Sequence, residues 1–391
     1  MKQQVTIVLT GGGSGGHITP LLPLARALKQ AEPKSRLVYI GLRGDQLEKS
    51  LDSSYQAFDE VYSISSGKFR RYHGESLLAH LVDIKTIALN FRDFFRVMAG
   101  VIQARRLLKK IKPDMVFSKG GFVVVPVGIA ARLQKIPIIT HDSDAVPGLA
   151  NRVVGRWALL HTTGMPPHFY GYRKDTIRHV GIPLDGRISP VTKADQLRFK
   201  KELGLSEDSQ VLLVGGAGLG AQKLNGLISD TAAKLLEQIP NLHIIHFTGP
   251  KHLSDVNHKY QTLPKGQRGR VMAFDFKPDF YKYTGASDLV VTRAGATTIA
   301  ELALQRKAAI LIPAPQLTAG QQLKNAEEIA QAGAAVVLAD DVRAEQFYRE
   351  VTELLGDSNR RRQLADKLGT MAKADAASQL AEIILSQARR G

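Results

Sequence analysis

A histidine ends a glycine-rich segment near the start of the chain. The segment TGGGSGGHITP, residues 10–20, places five glycines and His17 between an apolar run and a helical pattern. Glycines let a backbone approach a ligand closely, and an imidazole titrates near neutral pH. The combination predicts a loop that binds a ligand and also takes part in chemistry.

Two glycine motifs each follow an apolar strand pattern and open a helical one. Residues 11–16 fit G-x-G-x-x-G, and residues 216–221 fit the variant G-x-G-x-x-A. A dinucleotide site also needs an acidic residue about 20 positions further on, and neither half supplies one. This disfavours a nicotinamide or flavin enzyme. Backbone N–H groups at the two helix starts are still suited to binding phosphate. The alternative explanation is that the glycines only allow the helices to pack tightly on the sheets.

The elements that must position these loops form one repeated pattern. Apolar β-rich runs alternate with helical patterns, and the pattern restarts at residue 211. Such alternation is typical of parallel sheets covered on both faces, and 391 residues exceed one ordinary core. We therefore predict two doubly wound α/β domains. Gly, Pro and Ser cluster in residues 180–196, which predicts a hinge there.

Composition narrows the classes of partner. The net charge of +17 favours anionic partners such as phosphorylated substrates, nucleic acid or an anionic membrane surface. The absence of cysteine excludes disulfides and cysteine-ligated metal. No window reaches the roughly 20 apolar residues of a membrane span, and the first apolar run is too short for a signal peptide.

One segment concentrates the positive charge. Between Lys68 and Lys112 there are eleven Lys and Arg against three Asp and Glu. Phenylalanines and a methionine recur there at helical spacing, at Phe91, Phe94, Phe95 and Met98. Two ordinary core-facing helices would explain the apolar residues, but the whole pattern favours a helix at an anionic membrane surface. A nucleic-acid site is disfavoured because no recognition motif accompanies the charge.

Five segments in order carry a resemblance to a known family. They are GGSGGHITPLLPLARAL (12–28), SKGGFVVVPVGIAA (118–131), HDSDAVPGLAN (141–151), GAGLGAQKLN (216–225) and RAGATTIAELALQRKAAILIPAP with AGQQLKNAEEIAQAGAA (293–335). Together they closely resemble the MurG family, glycosyltransferase family 28. The resemblance implies a GT-B fold of two Rossmann-like domains facing a central cleft. It also implies inverting transfer of GlcNAc from UDP-GlcNAc to the 4-hydroxyl of MurNAc in undecaprenyl-diphosphoryl-MurNAc-pentapeptide, which converts lipid I to lipid II in peptidoglycan synthesis.

The same resemblance sets the expected domains and location. Residues 1–184 would bind the acceptor and the membrane, residues 185–367 would bind UDP-GlcNAc, and a helix of about 368–391 would pack back on the first domain. The enzyme is expected at the cytoplasmic face of the plasma membrane as a peripheral protein on the anionic inner leaflet. No metal, no cofactor and no nucleic acid is implied.

For the donor, the resemblance assigns residues of the second half. Glu301 is expected to bind the ribose hydroxyls, as a carboxylate can accept from both. The other donor-binding candidates are Gly218, Leu219, Gly220, Phe276, Lys277, Ala296, Thr297, Gln321, Gln322 and Asn325. Two departures from the family pattern stand out. The usual G-G-S-Q-G-A reads Gly-Ala-Gly-Leu-Gly-Ala, and the arginine of G-N-P-x-R is replaced by Asp185, with Arg187 two positions on as a possible substitute.

For the acceptor, the resemblance points to the first half. Ser14, Gly15, Gly16 and Asn151 are expected to contact it. His17 is the favoured general base for the MurNAc hydroxyl, with Asp142 as the second candidate and a purely structural His17 as the third reading. A helix start should lower the pKa of His17 and favour its neutral form. Asp142 and Asp144 also match the D-x-D motif of metal-dependent transferases. They lie in the acceptor half, away from the expected donor site, which disfavours a metal site.

Other functions stay open at this point. Another GT-B enzyme could transfer a different UDP-sugar to a different lipid, and a non-hydrolysing UDP-GlcNAc 2-epimerase shares the fold. An inactive nucleotide-sugar-binding homologue is the alternative from another class, because the phosphate loop lacks the family's serine and glutamine.

Overall fold

The computed structural model describes residues 4–13, 15–44, 57–68, 84–216, 221–315 and 320–390. The chain divides into two compact units. The first comprises residues 1–185 and 375–391, and the second comprises residues 186–374. Each unit is one parallel sheet with helices on both faces, so the described residues have the α/β architecture that the alternating pattern predicts.

The first unit contains a seven-stranded parallel sheet in the order β3-β2-β1-β4-β5-β6-β7. Its strands are β1 Thr6–Gly11, β2 Arg36–Leu42, β3 Glu60–Ile64, β4 Met115–Gly120, β5 Ile138–Asp142, β6 Leu160–Thr163 and β7 Ile177–His179. The helices of its amino-terminal part are α1 Gly15–Ile18, α2 Leu21–Ala31, α3 Ile84–Ile111, α4 Val124–Leu133 and α5 Leu149–Val154. Both faces of the central strands are apolar, which explains their continuous hydrophobic runs.

The second unit contains a six-stranded parallel sheet in the order β10-β9-β8-β11-β12-β13. Its strands are β8 Gln210–Gly215, β9 Leu242–Phe247, β10 Val271–Phe274, β11 Leu289–Thr292, β12 Ala309–Leu311 and β13 Val336–Val337. Its helices are α6 Lys193–Glu202, α7 Gln222–Gln238, α8 Leu253–Gln261, α9 Lys265–Arg268, α10 Phe280–Ala286, α11 Ala296–Gln305, α12 Gln321–Gln331, α13 Ala344–Gly356 and α14 Ser358–Thr370. Two apolar clusters cover the two faces of this sheet.

The last helix, α15 Ala376–Ala388, returns to the first unit. Leu380 and Ile384 are fully buried there, in the same cluster as Leu24 and Leu28 of α2. An ion pair between Arg389 and Glu32 joins the ends of the two helices. The first sheet is therefore covered on one face by helices from both ends of the chain.

Each sheet has one point at which the strand order reverses, between β1 and β4 in the first and between β8 and β11 in the second. In open α/β sheets, ligands bind outside the carboxyl ends of the strands at such a switch point. Both glycine motifs follow the strands at these points. No helix in the described part of the chain is long and apolar enough to span a bilayer.

Candidate functional site

At the switch point of the first sheet, His17 packs against the end of β4. His17 lies in α1, directly after the glycine loop that follows β1. A β-carbon on Gly120 would lie 3.2 Å from Cδ2 of the His17 ring, and one on Gly121 would lie 1.8 Å from the carbonyl oxygen of Gly12. Both glycines also have positive φ, +105° and +91°. The two loops therefore fit together only because glycine stands at positions 120 and 121.

The surroundings of His17 keep its ring neutral. Burial and, to a smaller extent, the nearby charge of Lys119 lower the pKa of His17 to about 4, although a hydrogen bond with the Gly12 backbone opposes both. The physical cause therefore differs from the helix start that the sequence suggests. An imidazole in this state is able to accept a proton at neutral pH.

The second candidate base, Asp142, is held in a closed hydrogen-bond network. Its carboxylate accepts from Nδ2 of Asn151 at 2.9 Å and from the hydroxyl of Tyr172 at 2.8 Å. Asn151 also donates to the carbonyl of His141 and accepts from the hydroxyl of Ser118 at 2.7 Å. Burial raises the pKa of Asp142, and these hydrogen bonds oppose that rise. The network occupies both carboxylate oxygens, so Asp142 is placed to orient β5 and α5.

An aromatic stack supports this network from behind. The rings of His161 and Tyr172 stack with their centroids 3.7 Å apart, and Tyr170 stacks on Tyr172 at 5.9 Å. His161 in turn shares a hydrogen bond with Thr140 on the neighbouring strand. Sequence reasoning missed these tyrosines because nothing in a motif links residues 170–172 to residue 142.

In the second unit, the loop that begins at Arg293 is fixed by an acid that the sequence does not single out. Asp340, three residues after β13, accepts from Nη1 of Arg293 at 2.6 Å and from Nζ of Lys223 at 2.7 Å. Arg293 also donates to the carbonyl of Ile312 at 2.9 Å. Burial raises the pKa of Asp340, but the hydrogen bonds from Lys223 and Arg293 outweigh it, so the pKa lies below its usual range. Asp340 thus joins the end of β11 to the start of α7.

Two amides of α12 are also anchored at this edge of the sheet. Nδ2 of Asn325 donates to the carbonyl of Ala294 at 3.0 Å. Oε1 of Gln322 accepts from the backbone N–H of Ala314 at 2.9 Å, and Gln321 precedes it at the first position of the helix. The sequence-predicted residues Gln322 and Asn325 therefore connect α12 to the strand ends around it.

The remaining candidates have varied positions in the second unit. Ala296 and Thr297 are the first residues of α11, and Glu301 is half-buried in its second turn. Phe276 is exposed on the segment after β10, and Nζ of Lys277 lies 5.0 Å from the ring centroid of Phe274.

Arg187 and Asp185 lie on different units of the chain. The guanidinium of Arg187 lies over the ring of Tyr281, 5.2 Å from its centroid, and Asp185 is 3.9 Å from Arg26. Ser14, Gly218, Leu219 and Gly220 lie outside the described residues, and of Gly15 only the backbone at the start of α1 is described.

The basic helix α3 presents an apolar stripe to solvent. Phe91, Phe94 and Phe95 are 66%, 49% and 55% exposed, and Met98 and Ile102 continue the stripe. The alternative of core-facing helices therefore does not hold for these side chains, although Val97 and Val101 on the adjoining face of the helix are buried. The rings contact each other edge to face, with centroids 4.9 Å apart for Phe91 and Phe95.

Contacts connect helix α3 to the amino-terminal glycine loop. Gly67 packs directly against the backbone of Asp93 in α3. The next residue, Lys68, places Nζ 5.7 Å from the ring centroid of Phe122, and that ring packs on Gly13. A continuous set of contacts thus connects α3 to the loop that carries His17. Among the described residues, no three His, Asp or Glu side chains are grouped so that they would hold a metal ion.

Comparisons with known proteins agree with this arrangement. The model of the glycosyltransferase family 28 N-terminal domain matches residues 7–160, and that of the family 28 C-terminal domain matches residues 210–380. A protein of Clostridium perfringens (strain SM101 / Type A) is 35% identical over 361 residues, which span 92% of each chain. It is named UDP-N-acetylglucosamine--N-acetylmuramyl-(pentapeptide) pyrophosphoryl-undecaprenol N-acetylglucosamine transferase. A protein of the same name from Clostridium botulinum (strain 657 / Type Ba4) is 35% identical over 86% of each chain.

Solved structures show the same fold. The crystal structure of MurG from Acinetobacter baumannii aligns with a TM-score of 0.71 and 23% identity, covering 97% of this chain and 99% of that one. A UDP-GlcNAc 2-epimerase from Neisseria meningitidis, bound to UDP-GlcNAc, aligns with a TM-score of 0.65 and 12% identity, covering 99% and 100%. At these identities the likeness concerns the fold, which is GT-B.

Proposed function

The chain belongs to glycosyltransferase family 28, and from this membership we propose that it transfers GlcNAc from UDP-GlcNAc to the MurNAc of undecaprenyl-diphosphoryl-MurNAc-pentapeptide. The reaction converts lipid I to lipid II in peptidoglycan synthesis. The observation that carries this conclusion is the 35% identity to curated transferases of that specificity over 92% of both chains. Likeness of fold alone would not distinguish it, since epimerases share the architecture.

We assign the donor to the second unit. The N-terminus of α11 offers free backbone N–H groups at Ala296 and Thr297 to the diphosphate, and Glu301 accepts from the ribose hydroxyls. The ion pair of Asp340 with Arg293 supports this assignment, because it fixes the loop from which α11 starts. The segment at Phe276 and Lys277 binds uracil through the backbone of Lys277.

The sugar of the donor is read by the first turn of α12. The oxygen of the Gln322 amide is already occupied by the Ala314 N–H, so its amide nitrogen and the side chain of Gln321 are left to bind GlcNAc hydroxyls. Asn325 positions this turn through its bond to Ala294. Backbone N–H groups of residues 218–220 take the role of the serine and glutamine that the family loop usually carries. We also propose that Arg187 supplies a further positive charge to the diphosphate.

We assign the acceptor to the first unit, with His17 as the general base. His17 takes the proton of the MurNAc 4-hydroxyl as that oxygen forms a bond to C1 of GlcNAc. The bond between C1 and the phosphate oxygen of UDP breaks at the same time, and attack from the opposite face inverts the configuration at C1. The backbone of residues 14–16 binds the acceptor diphosphate, and Asn151 orients the neighbouring β5 edge.

We place the protein on the membrane through α3. Its exposed phenylalanines enter the interface, while Arg92, Arg96, Arg105 and Arg106 meet anionic headgroups of the inner leaflet. The contacts from α3 through Lys68 and Phe122 to Gly13 support this placement. A lipid-linked diphosphate would then rise from the bilayer close to the His17 loop. The protein is accordingly peripheral, at the cytoplasmic face.

Release of UDP from UDP-GlcNAc tests this function. We expect release only when a short-chain lipid I analogue is present, and much less with UDP-glucose or UDP-GalNAc as donor. Formation of ManNAc or release of UDP without an acceptor would identify an epimerase or hydrolase instead. Binding of UDP-GlcNAc with no turnover under any condition would identify an inactive homologue.

A further inference from the structure

Lys119 carries a buried charge to which neither the motif nor the proposed reaction assigns a role. It is the fifth residue of β4, at the switch point of the first sheet, and only 3% of its surface is exposed. Its ammonium donates to Oγ of Ser143 at 2.6 Å. Lysine is almost never fully buried without a partner, so its presence here requires an explanation.

Within the part of the chain that the structure describes, Lys119 forms no ion pair, and Ser143 is the acceptor for its ammonium. Asp142 and Asp144 stabilise the ammonium from a greater distance, and burial still lowers the pKa of Lys119 to about 8. A full positive charge therefore acts on its surroundings below that pH, in a site with little solvent to screen it.

Lys119 and His17 both pack against Gly11 at the end of β1. A β-carbon on Gly11 would meet the backbone oxygen of His17 at 2.5 Å and the β-carbon of Lys119 at 3.2 Å. The residue after Lys119 is Gly120, whose backbone touches the His17 ring. Close backbone packing thus fixes the start of the Lys119 side chain next to His17, while Ser143 holds the ammonium.

We propose that Lys119 is a positioning residue of the transfer reaction, whose buried charge acts together with burial to keep the His17 ring neutral until the anionic acceptor arrives. This inference rests on the proposed role of His17 as the base. The charge of Lys119 disfavours a second positive charge on His17, as a neighbouring cation does for any histidine. When the acceptor diphosphate binds, its negative charges offset Lys119 and make the ring a stronger base.

The other charged and titratable groups around Lys119 fit this role. His141, on the adjacent strand β5, is fully buried, and the pKa of His141 is lowered well below its usual value by burial and by Lys119. Asp142 and Asp144 favour the charged form of Lys119. Burial and the charge of Asp142 raise the pKa of Tyr172 and Tyr170, so both remain neutral. Lys119 is therefore the cation that acts on His17 from β4.

The pH dependence of Lys119→Met tests the proposal. Methionine keeps the length of the side chain and removes the charge, so the acid limb of kcat/KM should move upward by on the order of one pH unit. Relative to wild type and normalised at pH 8, activity at pH 5 should fall about twofold, because the neutral fraction of His17 falls from about nine-tenths to about one-half. Lys119→Arg retains the charge and should leave the limb in place. A loss of activity that is equal at every pH would contradict the proposal, because a structural defect alone has that signature.

NMR titration of the His17 ring measures the same coupling without any substrate, and so separates this proposal from the proposed function. In wild type the ring resonances should shift near pH 4 and again near pH 8, where Lys119 loses its proton. The second inflection should vanish in Lys119→Met. This measurement in wild type decides the question even if the methionine variant fails to fold, and the absence of any inflection near pH 8 would overturn the proposal.

Lys307→Met is the matched control. Lys307 is also a buried lysine, in the second unit, where it donates to the carbonyls of Gly285 and Ser287 at 2.7 and 3.1 Å. Burial lowers the pKa of Lys307 to about 8 as well. We expect this variant to lose stability and to leave both the acid limb and the His17 resonances unchanged. A shift of the His17 limb in Lys307→Met would show that loss of any buried lysine produces the effect.

Discussion

At the scale of single residues, the two candidate bases, His17 and Asp142, differ in their burial and in their hydrogen bonds. His17 is half-buried beside a loop made almost entirely of glycine, and its ring is kept neutral. Asp142 is fully enclosed, and both of its oxygens accept hydrogen bonds from Asn151 and Tyr172. A neutral imidazole can accept a proton at neutral pH, whereas both oxygens of Asp142 already accept hydrogen bonds, so we favour His17 for the chemistry and Asp142 for support.

Substitution of these two residues should therefore have different consequences. His17→Ala should lower kcat by about 10²–10⁴-fold, the usual contribution of a general base, with little change in melting temperature. Asp142→Asn places an amide group against the donors of Asn151 and Tyr172, so it should cost about 1–3 kcal/mol of folding free energy. Steady-state kinetics and thermal unfolding on both variants check this. A His17→Ala enzyme with wild-type kcat would remove the residue from the mechanism.

The pH profile should carry the signature of a base with a lowered pKa. Because the pKa of His17 is about 4 instead of 6.5, kcat/KM for the acceptor should stay level down to about pH 5 and fall as the pH drops through about 4. The acid limb of kcat should lie at higher pH, because the bound diphosphate raises the pKa of His17 in the complex. An acid limb of kcat/KM near 6.5 would contradict this, provided that tryptophan fluorescence shows the protein still folded.

At the scale of elements, the site is made by strand ends and the loops that follow them. In each sheet a glycine motif follows the first strand, and a second loop follows the strand across the switch point. Residues from the edge of the sheet also position these loops. Asp340 lies beyond the edge strand β13, yet it binds Arg293 after β11 and Lys223 at the start of α7. We expect it to control donor binding through them.

Asp340→Asn tests that expectation. Loss of the carboxylate leaves the buried Arg293 without its ion pair, so the loop at the start of α11 should loosen. KM for UDP-GlcNAc should rise about tenfold, equivalent to about 1.4 kcal/mol, while KM for the acceptor stays the same. Asp341→Asn, at the exposed neighbouring position, is the matched control and should behave as wild type. Equal changes in both KM values would assign Asp340 to overall stability only.

Much of the element scale is predictable from the sequence, because it depends on local patterns. Apolar runs and glycine positions predict the α/β fold and place His17 at the start of a helix, and the structure confirms the fold. The supporting residues are not predictable in this way. Tyr172 lies 30 positions from Asp142, and Asp340 lies 47 positions from Arg293, so only the folded sheet brings each pair together. Lys119 looks like an ordinary residue of an SKGG motif until its burial is known.

At the scale of the whole molecule, positive charge and exposed apolar side chains coincide on one helix. The chain carries a net charge of +17, and α3 combines six Lys and Arg between residues 92 and 110 with the exposed stripe from Phe91 to Ile102. An amphipathic surface of this kind is suited to a membrane interface, where apolar side chains enter and cations meet anionic headgroups. Binding through this surface would bring the protein to a substrate that stays in the bilayer.

Liposome co-sedimentation measures this surface directly. Arg105→Glu with Arg106→Glu should reduce binding to vesicles that contain anionic lipid, because each cation contributes roughly 1 kcal/mol near such a surface. Phe94→Ser with Phe95→Ser should weaken binding to neutral and anionic vesicles alike. Lys251→Glu with Lys265→Glu, exposed in the second unit, makes the same change in net charge and should bind as wild type. Unchanged binding of both α3 variants would exclude this helix as the membrane surface.

The most direct measurement is the identity of the product formed from labelled UDP-GlcNAc and a short-chain lipid I analogue. We expect wild type to add one GlcNAc in β linkage to the 4-hydroxyl of MurNAc, as mass spectrometry and NMR of the product would show. Glu301→Ala should form the same product with a raised KM for UDP-GlcNAc, and His17→Ala should form it far more slowly. A wild-type product with an α linkage, a different sugar or a different attachment point would contradict the account.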